Sequence, residues 1–138
     1  QNLGSLLRTT EAAGVHGVII PHRRAAGVTP AAVRASAGAA EHVLVAQVPN
    51  LVGAMKALQA QDVWLAGLEA AAEAQLYTQT DLTGAVGLVV GSEGQGLARL
   101  VRETCDFLIR LPMQGQVESL NAAVAGAIAL YEILRQRG

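Results

Sequence analysis

The chain has 138 residues, 51% of them hydrophobic, and a formal net charge of −1. That is enough apolar material for one domain with its own core, and the charge balance excludes a protein that coats nucleic acid through a global basic field. The single cysteine, Cys105, excludes an internal disulfide framework and a cysteine-rich zinc site, and fits a reducing cytoplasm. No apolar run approaches the length needed to cross a bilayer, and Gln1 leads directly into Asn2-Leu3-Gly4, so neither a membrane segment nor a signal peptide is expected.

In chain order, Leu3, Leu6 and Leu7 share one face of a helix predicted over residues 3–13 and stopped by Gly14. Gly17–Ile20 reads as a short strand ended by Pro21, followed by a polar, basic loop of His22, Arg23 and Arg24. Thr29-Pro30 pairs an N-cap with a proline at the first helical position and opens a short helix to Arg34, and residues 36–40 form a small-residue turn. A strand over His42–Val48, a helix over Leu51–Ala60 capped at Asn50 and a buried strand over Val63–Ala66 follow. Glu69–Thr83 is the least regular segment, a loop with a short helix and a turn at Asp81–Gly84. Ala85–Val90 is a near-continuous apolar run, as in a strand covered on both faces.

After it come the loop Gly91–Gly96, a helix over Leu97–Thr104, a last strand over Phe107–Leu111 broken by Pro112, a polar loop, and a closing helix over Ser119–Arg135. Strands alternating with helices define an α/β domain with a mostly parallel sheet flanked by helices. Because the chain starts on a helix, an upstream strand and a further N-terminal domain are expected before residue 1.

Three stretches carry candidate chemistry. Asn2-x-Gly4-x-x-x-Arg8 combines an amide with a guanidinium, a rigid fork suited to phosphate or carboxylate; the plainer alternative is an N-cap and a solvated surface arginine. Gly91-Ser92-Glu93-Gly94-Gln95-Gly96 follows a buried strand, yet lacks the G-x-G-x-x-G spacing and the Lys-Ser/Thr of a phosphate-binding loop. Its glycines suit close approach of backbone to a flat, neutral or cationic ligand. The third stretch, Leu111–Glu132, joins a strand end to a helix start, where open α/β sheets bind ligands.

On that closing helix Leu120, Val124, Ile128, Tyr131 and Leu134 form a stripe expected in a core or an interface. Ala122, Ala123, Ala125, Gly126 and Ala129 form a face small enough for another helix or subunit to come close. No histidine lies near Ser119 to make a nucleophile–base pair. His16, His22 and His42 are scattered singly, so no metal site is assigned.

Together the stretches Asn2–Arg8, Leu88–Leu97 and Leu111–Asn121 resemble motifs one, two and three of the SpoU group of the SPOUT superfamily, S-adenosylmethionine-dependent RNA ribose 2′-O-methyltransferases. The resemblance covers essentially the whole chain, in order, and is nearest to the bacterial enzymes that methylate a guanosine ribose of 23S rRNA. It implies a catalytic domain over residues 1–138 whose C-terminal part forms a deep trefoil knot, and a cytoplasmic homodimer packed through the first and last helices. It also implies catalytic roles for Asn2, Arg8, Glu93, Ser119 and Asn121, and cofactor contacts at Gly91, Gly94, Leu111, Met113 and Leu120. The Asp-Pro that usually precedes the motif-one asparagine and the N-terminal RNA-binding domain of relatives lie outside the sequence. Alternatives are a tRNA ribose as target, or a non-catalytic cofactor-binding dimerisation module. A Rossmann-type nucleotide domain is disfavoured by the missing glycine fingerprint.

Overall fold

The structure, a computed structural model, describes residues 2–22, 42–92 and 95–138. The helix expected near Thr29–Arg34, the turn at 36–40 and the arginines at 23, 24 and 34 lie outside these residues. Chain contacts divide the molecule into two units, 1–54 and 55–138.

In the first unit, helix α1 (Asn2–Ala12) buries Leu7 completely. It stops where the leucine spacing and Gly14 said it would. Gly14 takes φ +74°, its N–H donates to the Glu11 carbonyl, and the Val15 N–H donates to that of Thr10. These two bonds are the Schellman arrangement that satisfies the last helical carbonyls. Strand β1 (Val18–Pro21) pairs in parallel with β2 (Val45–Val48), from Val18 opposite Val45 to Pro21 opposite Val48. The second strand is shorter than the expected His42–Val48, and Leu44 before it is exposed.

Helix α2 (Leu51–Ala60) forms on the residues expected, and Asn50 Oδ1 accepts the Gly53 N–H at 3.2 Å, as a helix cap should. Asp62 then adopts φ +65°, an uncommon conformation that aspartate tolerates better than most residues.

The second unit is built on a four-stranded parallel sheet. Its strands are β3 (Trp64–Leu68), β4 (Gln75–Leu76), β5 (Val86–Val90) and β6 (Phe107–Arg110), in the spatial order β4-β6-β3-β5. The irregular segment Glu69–Thr83 contributes β4 and a 3-10 turn at Tyr77–Gln79. Asp106 Oδ2 accepts the Leu65 N–H at 2.7 Å and a bond from Gln59 Nε2 at 3.2 Å, which fixes the entry to β6 beside β3.

Helix α3 spans only Arg99–Thr104, two residues short of the expected start, because its N-cap Ala98 is still extended. Helix α4 (Ala122–Arg137) starts three residues later than the expected Ser119, because Asn121 is its N-cap.

The core of this unit is Ala66, Leu82, Ile109 and Ala129, none of them exposed, with Tyr77, Phe107 and Ile133 packed around them. Burying a side chain such as Ile109 contributes about 1.5–3 kcal/mol. Helix α4 lies against β3 and β5 and buries Ala123, Gly126, Ala129 and Glu132 there. Of the small-residue face, Ala123, Gly126 and Ala129 are buried, while Ala122 and Ala125 line a cleft at the strand ends. The large stripe of Leu120, Val124, Ile128, Tyr131 and Leu134 is the outer one, each residue 38–49% exposed.

The far end of α4 is tied down by polar bonds. Gln136 Oε1 accepts the Leu82 N–H at 2.7 Å, and its Nε2 donates to the Thr80 carbonyl and to Glu132. Arg135 grips the Glu132 carboxylate with two bonds of 2.8 Å. Those donors, Arg135 first and Gln136 second, hold the Glu132 carboxyl down at about 2.

Candidate functional site

All four strands of the second unit run in parallel, so the C-terminal ends of β3, β5 and β6 open on one edge of the sheet, where α/β sheets place their ligands. The loops leaving these ends enclose a cleft of about 380 Å³, within the roughly 300–1,000 Å³ usual for small-molecule sites. Leu68 and Glu69 come from the end of β3, Val90 to Ser92 and Gly96 from the loop after β5, and Leu111, Met113 and residues 118–120 from the loop after β6.

The loop after β5 owes its shape to its glycines. Ser92 and Gly96 exchange backbone bonds of 3.1 and 2.9 Å, folding the loop into a closed turn. Gly96 sits at φ +70°, and a β-carbon on it would lie 2.6 Å from Glu69 Oε1. A β-carbon on Gly91 would overlap the backbone of Gly96. Gly91 therefore demands glycine for space against backbone, and Gly96 demands it for its positive φ.

Of the residues expected to hold a cofactor, Gly91, Leu111, Met113 and Leu120 line this one cleft, and Ser119 lines it with them. They are 29 positions apart along the chain, from 91 to 120, and only the parallel sheet brings them together. Gly94 and Glu93 lie outside the described residues. Asn121 is next to the lining, and its Oδ1 accepts the N–H groups of Ala123 at 2.8 Å and Val124 at 3.2 Å as a helix cap. Arg8 is exposed on α1, and Asn2 is the first residue of that helix, both in the other unit.

Two charged lining residues were missed in the sequence, Glu69 and Arg102. Glu69 Oε1 accepts the Leu97 N–H at 3.1 Å, and Oε2 lies 3.3 Å from Arg102 Nη1. The sequence offers a single hint: Glu69 directly follows a buried strand, where a carboxylate is unusual without a partner. Its partners are 28 and 33 residues away, so no local motif reveals them.

Electrostatically, the described lining carries two carboxylates, Glu69 and Glu118, against the one guanidinium of Arg102. The remaining wall is apolar side chain, backbone and the hydroxyls of Ser92 and Ser119. Such a cleft opposes a phosphate and suits a neutral aromatic group or a cation.

Fold and site thus define a parallel α/β ligand-binding domain, with a small-molecule cleft built from two glycine- and serine-bearing loops at its strand ends. The chain belongs to the SpoU rRNA Methylase family, whose description matches residues 1–131. It is 51% identical over 136 residues to the 23S rRNA (guanosine-2′-O-)-methyltransferase RlmB of Xanthomonas campestris, an alignment covering 99% of this chain and 54% of that protein. Among solved structures it is similar to the SpoU methyltransferase AviRb from Streptomyces viridochromogenes in complex with AdoMet, with a TM-score of 0.90 and 33% identity, over 99% of this chain and 55% of that one. It is also similar to the A. aeolicus TrmH/SpoU tRNA modifying enzyme, with a TM-score of 0.91 and 29% identity, over 99% of this chain and 68% of that one. The chain spans about half the length of the curated relatives it matches.

Proposed function

We propose that this chain is the catalytic domain of an S-adenosylmethionine-dependent RNA ribose 2′-O-methyltransferase whose target is a guanosine of 23S rRNA. The observation that carries the reading is the convergence of Gly91, Leu111, Met113, Leu120 and Ser119 on one cleft. The name of the Xanthomonas relative supports the substrate, and the AdoMet complex of AviRb supports the cofactor. The cleft fits such a cofactor by its chemistry: apolar walls and close backbone for a neutral adenine, and an excess of carboxylate for a cationic sulfonium and ammonium.

When bound, the cofactor supplies an electrophilic methyl group. The chain's own residues do the rest. The closed turn at Gly91–Gly96 and the loop from Leu111 to Leu120 bind and orient the cofactor through backbone and apolar contact. Arg8 anchors the phosphate beside the target ribose, a task that a permanently charged, fork-shaped guanidinium with no acceptor atom suits better than proton abstraction. The 2′-hydroxyl loses its proton to water held beside Ser119 and Asn121, and Asn2 and Glu93 keep the catalytic roles that the motif resemblance implies. Asn121 Oδ1 accepts the Ala123 and Val124 N–H groups, so this residue also sets the start of α4 beside the site. Methyl transfer needs alignment above all, so positioning supplies much of the acceleration.

The reading extends to assembly. The C-terminal part is threaded as a trefoil knot, and two copies pair through the first and last helices. The exposed stripe Val124, Ile128, Tyr131 and Leu134 is the surface of α4 that supports such pairing. Among the described residues no helix is long and apolar enough to cross a membrane; work on RNA, as proposed, puts the enzyme in the cytoplasm.

Calorimetry with S-adenosylmethionine and S-adenosylhomocysteine tests the core of this reading, and absence of binding to either sinks it. The A. aeolicus tRNA modifying enzyme favours a second substrate, a tRNA ribose. Mass-spectrometric mapping of ribose methylation in a deletion strain separates the two: loss from 23S rRNA supports the first, loss from tRNA the second. Full methylation by the complete enzyme carrying Arg8→Ala would point instead to a non-catalytic role for motif one.

A further inference from the structure

We propose that Glu69 is a positioning residue of the cofactor cleft, fixing the wall made by the loop after β5 through a single carboxylate. This rests on the reading of the cleft as an S-adenosylmethionine site. The backbone of Glu69 is set by the sheet, because its N–H donates to the Ile109 carbonyl at 3.0 Å as β3 ends. Its side chain is only 14% exposed and reaches across to the turn, where Oε1 takes the Leu97 N–H at 3.1 Å.

The turn is closed on itself by the Ser92–Gly96 bonds and by the fit of Gly91 against Gly96. Glu69 ties that closed unit to the sheet. A β-carbon on Gly96 would stand 2.6 Å from Glu69 Oε1, so a side chain there would push the carboxylate off the turn.

A carboxylate in a cleft wall is costly unless it is bonded. Arg102 offsets part of that cost at 3.3 Å, but its side chain is 43% exposed, so water screens the pair. The Leu97 N–H is therefore the contact that matters. That gives a discriminating expectation. Glutamine retains a carbonyl oxygen at the right reach and should serve; aspartate retains the charge but is one methylene short and should fail. A residue acting through its charge on a cationic ligand would show the reverse order.

The test uses the complete enzyme, with S-adenosylhomocysteine affinity by calorimetry and hydrogen exchange at the Leu97 amide in the cofactor-free protein. Glu69→Ala and Glu69→Asp should each weaken binding roughly tenfold or more and speed Leu97 exchange by a similar factor, while Glu69→Gln stays within about threefold of wild type in both. Wild-type affinity in Glu69→Asp, or Glu69→Gln as weak as Glu69→Ala, overturns the proposal. Should Glu69→Ala fail to fold, the Asp and Gln variants decide by the same criteria. If the unaltered enzyme binds no S-adenosylhomocysteine, the cofactor reading falls, and exchange alone judges the anchor. Faster exchange in Asp but not in Gln then upholds it, and unchanged exchange in both refutes it.

Discussion

Gly67 lies in β3 between two hydrogen-bonded neighbours, opposite Val89 on one side and Leu108 on the other. A β-carbon added there would stand 2.8 Å from Cys105 Sγ, 2.8 Å from Leu108 Cδ2 and 2.9 Å from Leu97 Cδ1. Non-bonded carbons prefer about 3.5–4.0 Å, so each neighbour would have to retreat by roughly 1 Å. The two leucine ends can swing aside. The thiol has less freedom, because Cys105 caps α3 and its N–H is held by the carbonyls of Val101 and Arg102.

Overpacking of this kind costs about 1–3 kcal/mol, while replacing glycine by alanine restricts the unfolded chain and returns about 0.4–1 kcal/mol. Gly67→Ala should therefore lose about 1–2 kcal/mol in urea unfolding. Cys105→Ala removes one of the three close contacts. In a double-mutant cycle the pair should be coupled by about 0.5–1 kcal/mol, the double variant being more stable than the two single losses predict. A Gly67→Ala protein as stable as wild type, or a cycle with no coupling, would refute this account of how α3 and its flanking loops pack on the sheet.

Three further outcomes are expected. Glu132, held at about 2 against an ordinary 4.5, contributes stability that is present above its ordinary pKa and lost as pH falls toward the folded value. The urea midpoint of the wild type should drop between about pH 5 and pH 3, and that of Glu132→Gln should drop less; parallel curves would contradict it. The Cys105 thiol is pushed up to about 11 by burial, with the charges of Asp106 and Glu69 adding to it. Its alkylation near pH 8 should run roughly a hundredfold slower in the folded than in the urea-unfolded protein, and equal rates would count against the packing around Gly67. On the proposed pairing, the wild type should sediment as a dimer and Ile128→Asp on the exposed stripe of α4 as a monomer, with little change in the monomer's fold. An unchanged dimer would move the interface elsewhere.

Much of the fold was legible because local signals agreed with the global arrangement. Leu51–Ala60, with its asparagine cap, formed as expected, and Ala85–Val90 lost only one residue from its start. Gly14 stopped α1 as its position implied. Which face of α4 the sheet takes was left open for a physical reason: both sides of that helix are apolar, so periodicity could not decide between them. Proximity decided it, since alanine and glycine let the helix backbone come nearer to β3 and β5 than leucine and tyrosine would.

The lining of the cleft was in part recoverable from motifs, because glycine loops at strand ends declare themselves in sequence. The Glu69 anchor was not, because its meaning lies in an N–H 28 residues away. Asn121 carried two signals at once. As the residue before a helix it was a cap, and as part of a motif it was a catalytic candidate; the cap is the part its bonds display.

The order of strands in the second unit also has a consequence for synthesis. Strand β6 lies between β4 and β3, yet follows both in the chain. Until residues 107–110 have left the ribosome, β3 has an unpaired edge and β4 has no neighbour at all. The sheet must therefore be completed by inserting its last strand into a gap rather than by adding it to a border. Such non-local pairing slows folding and leaves a sticky edge exposed meanwhile. A nascent chain arrested before Phe107 should accordingly be far more prone to aggregation and to capture by chaperones than one arrested after α4 has closed over β3 and β5.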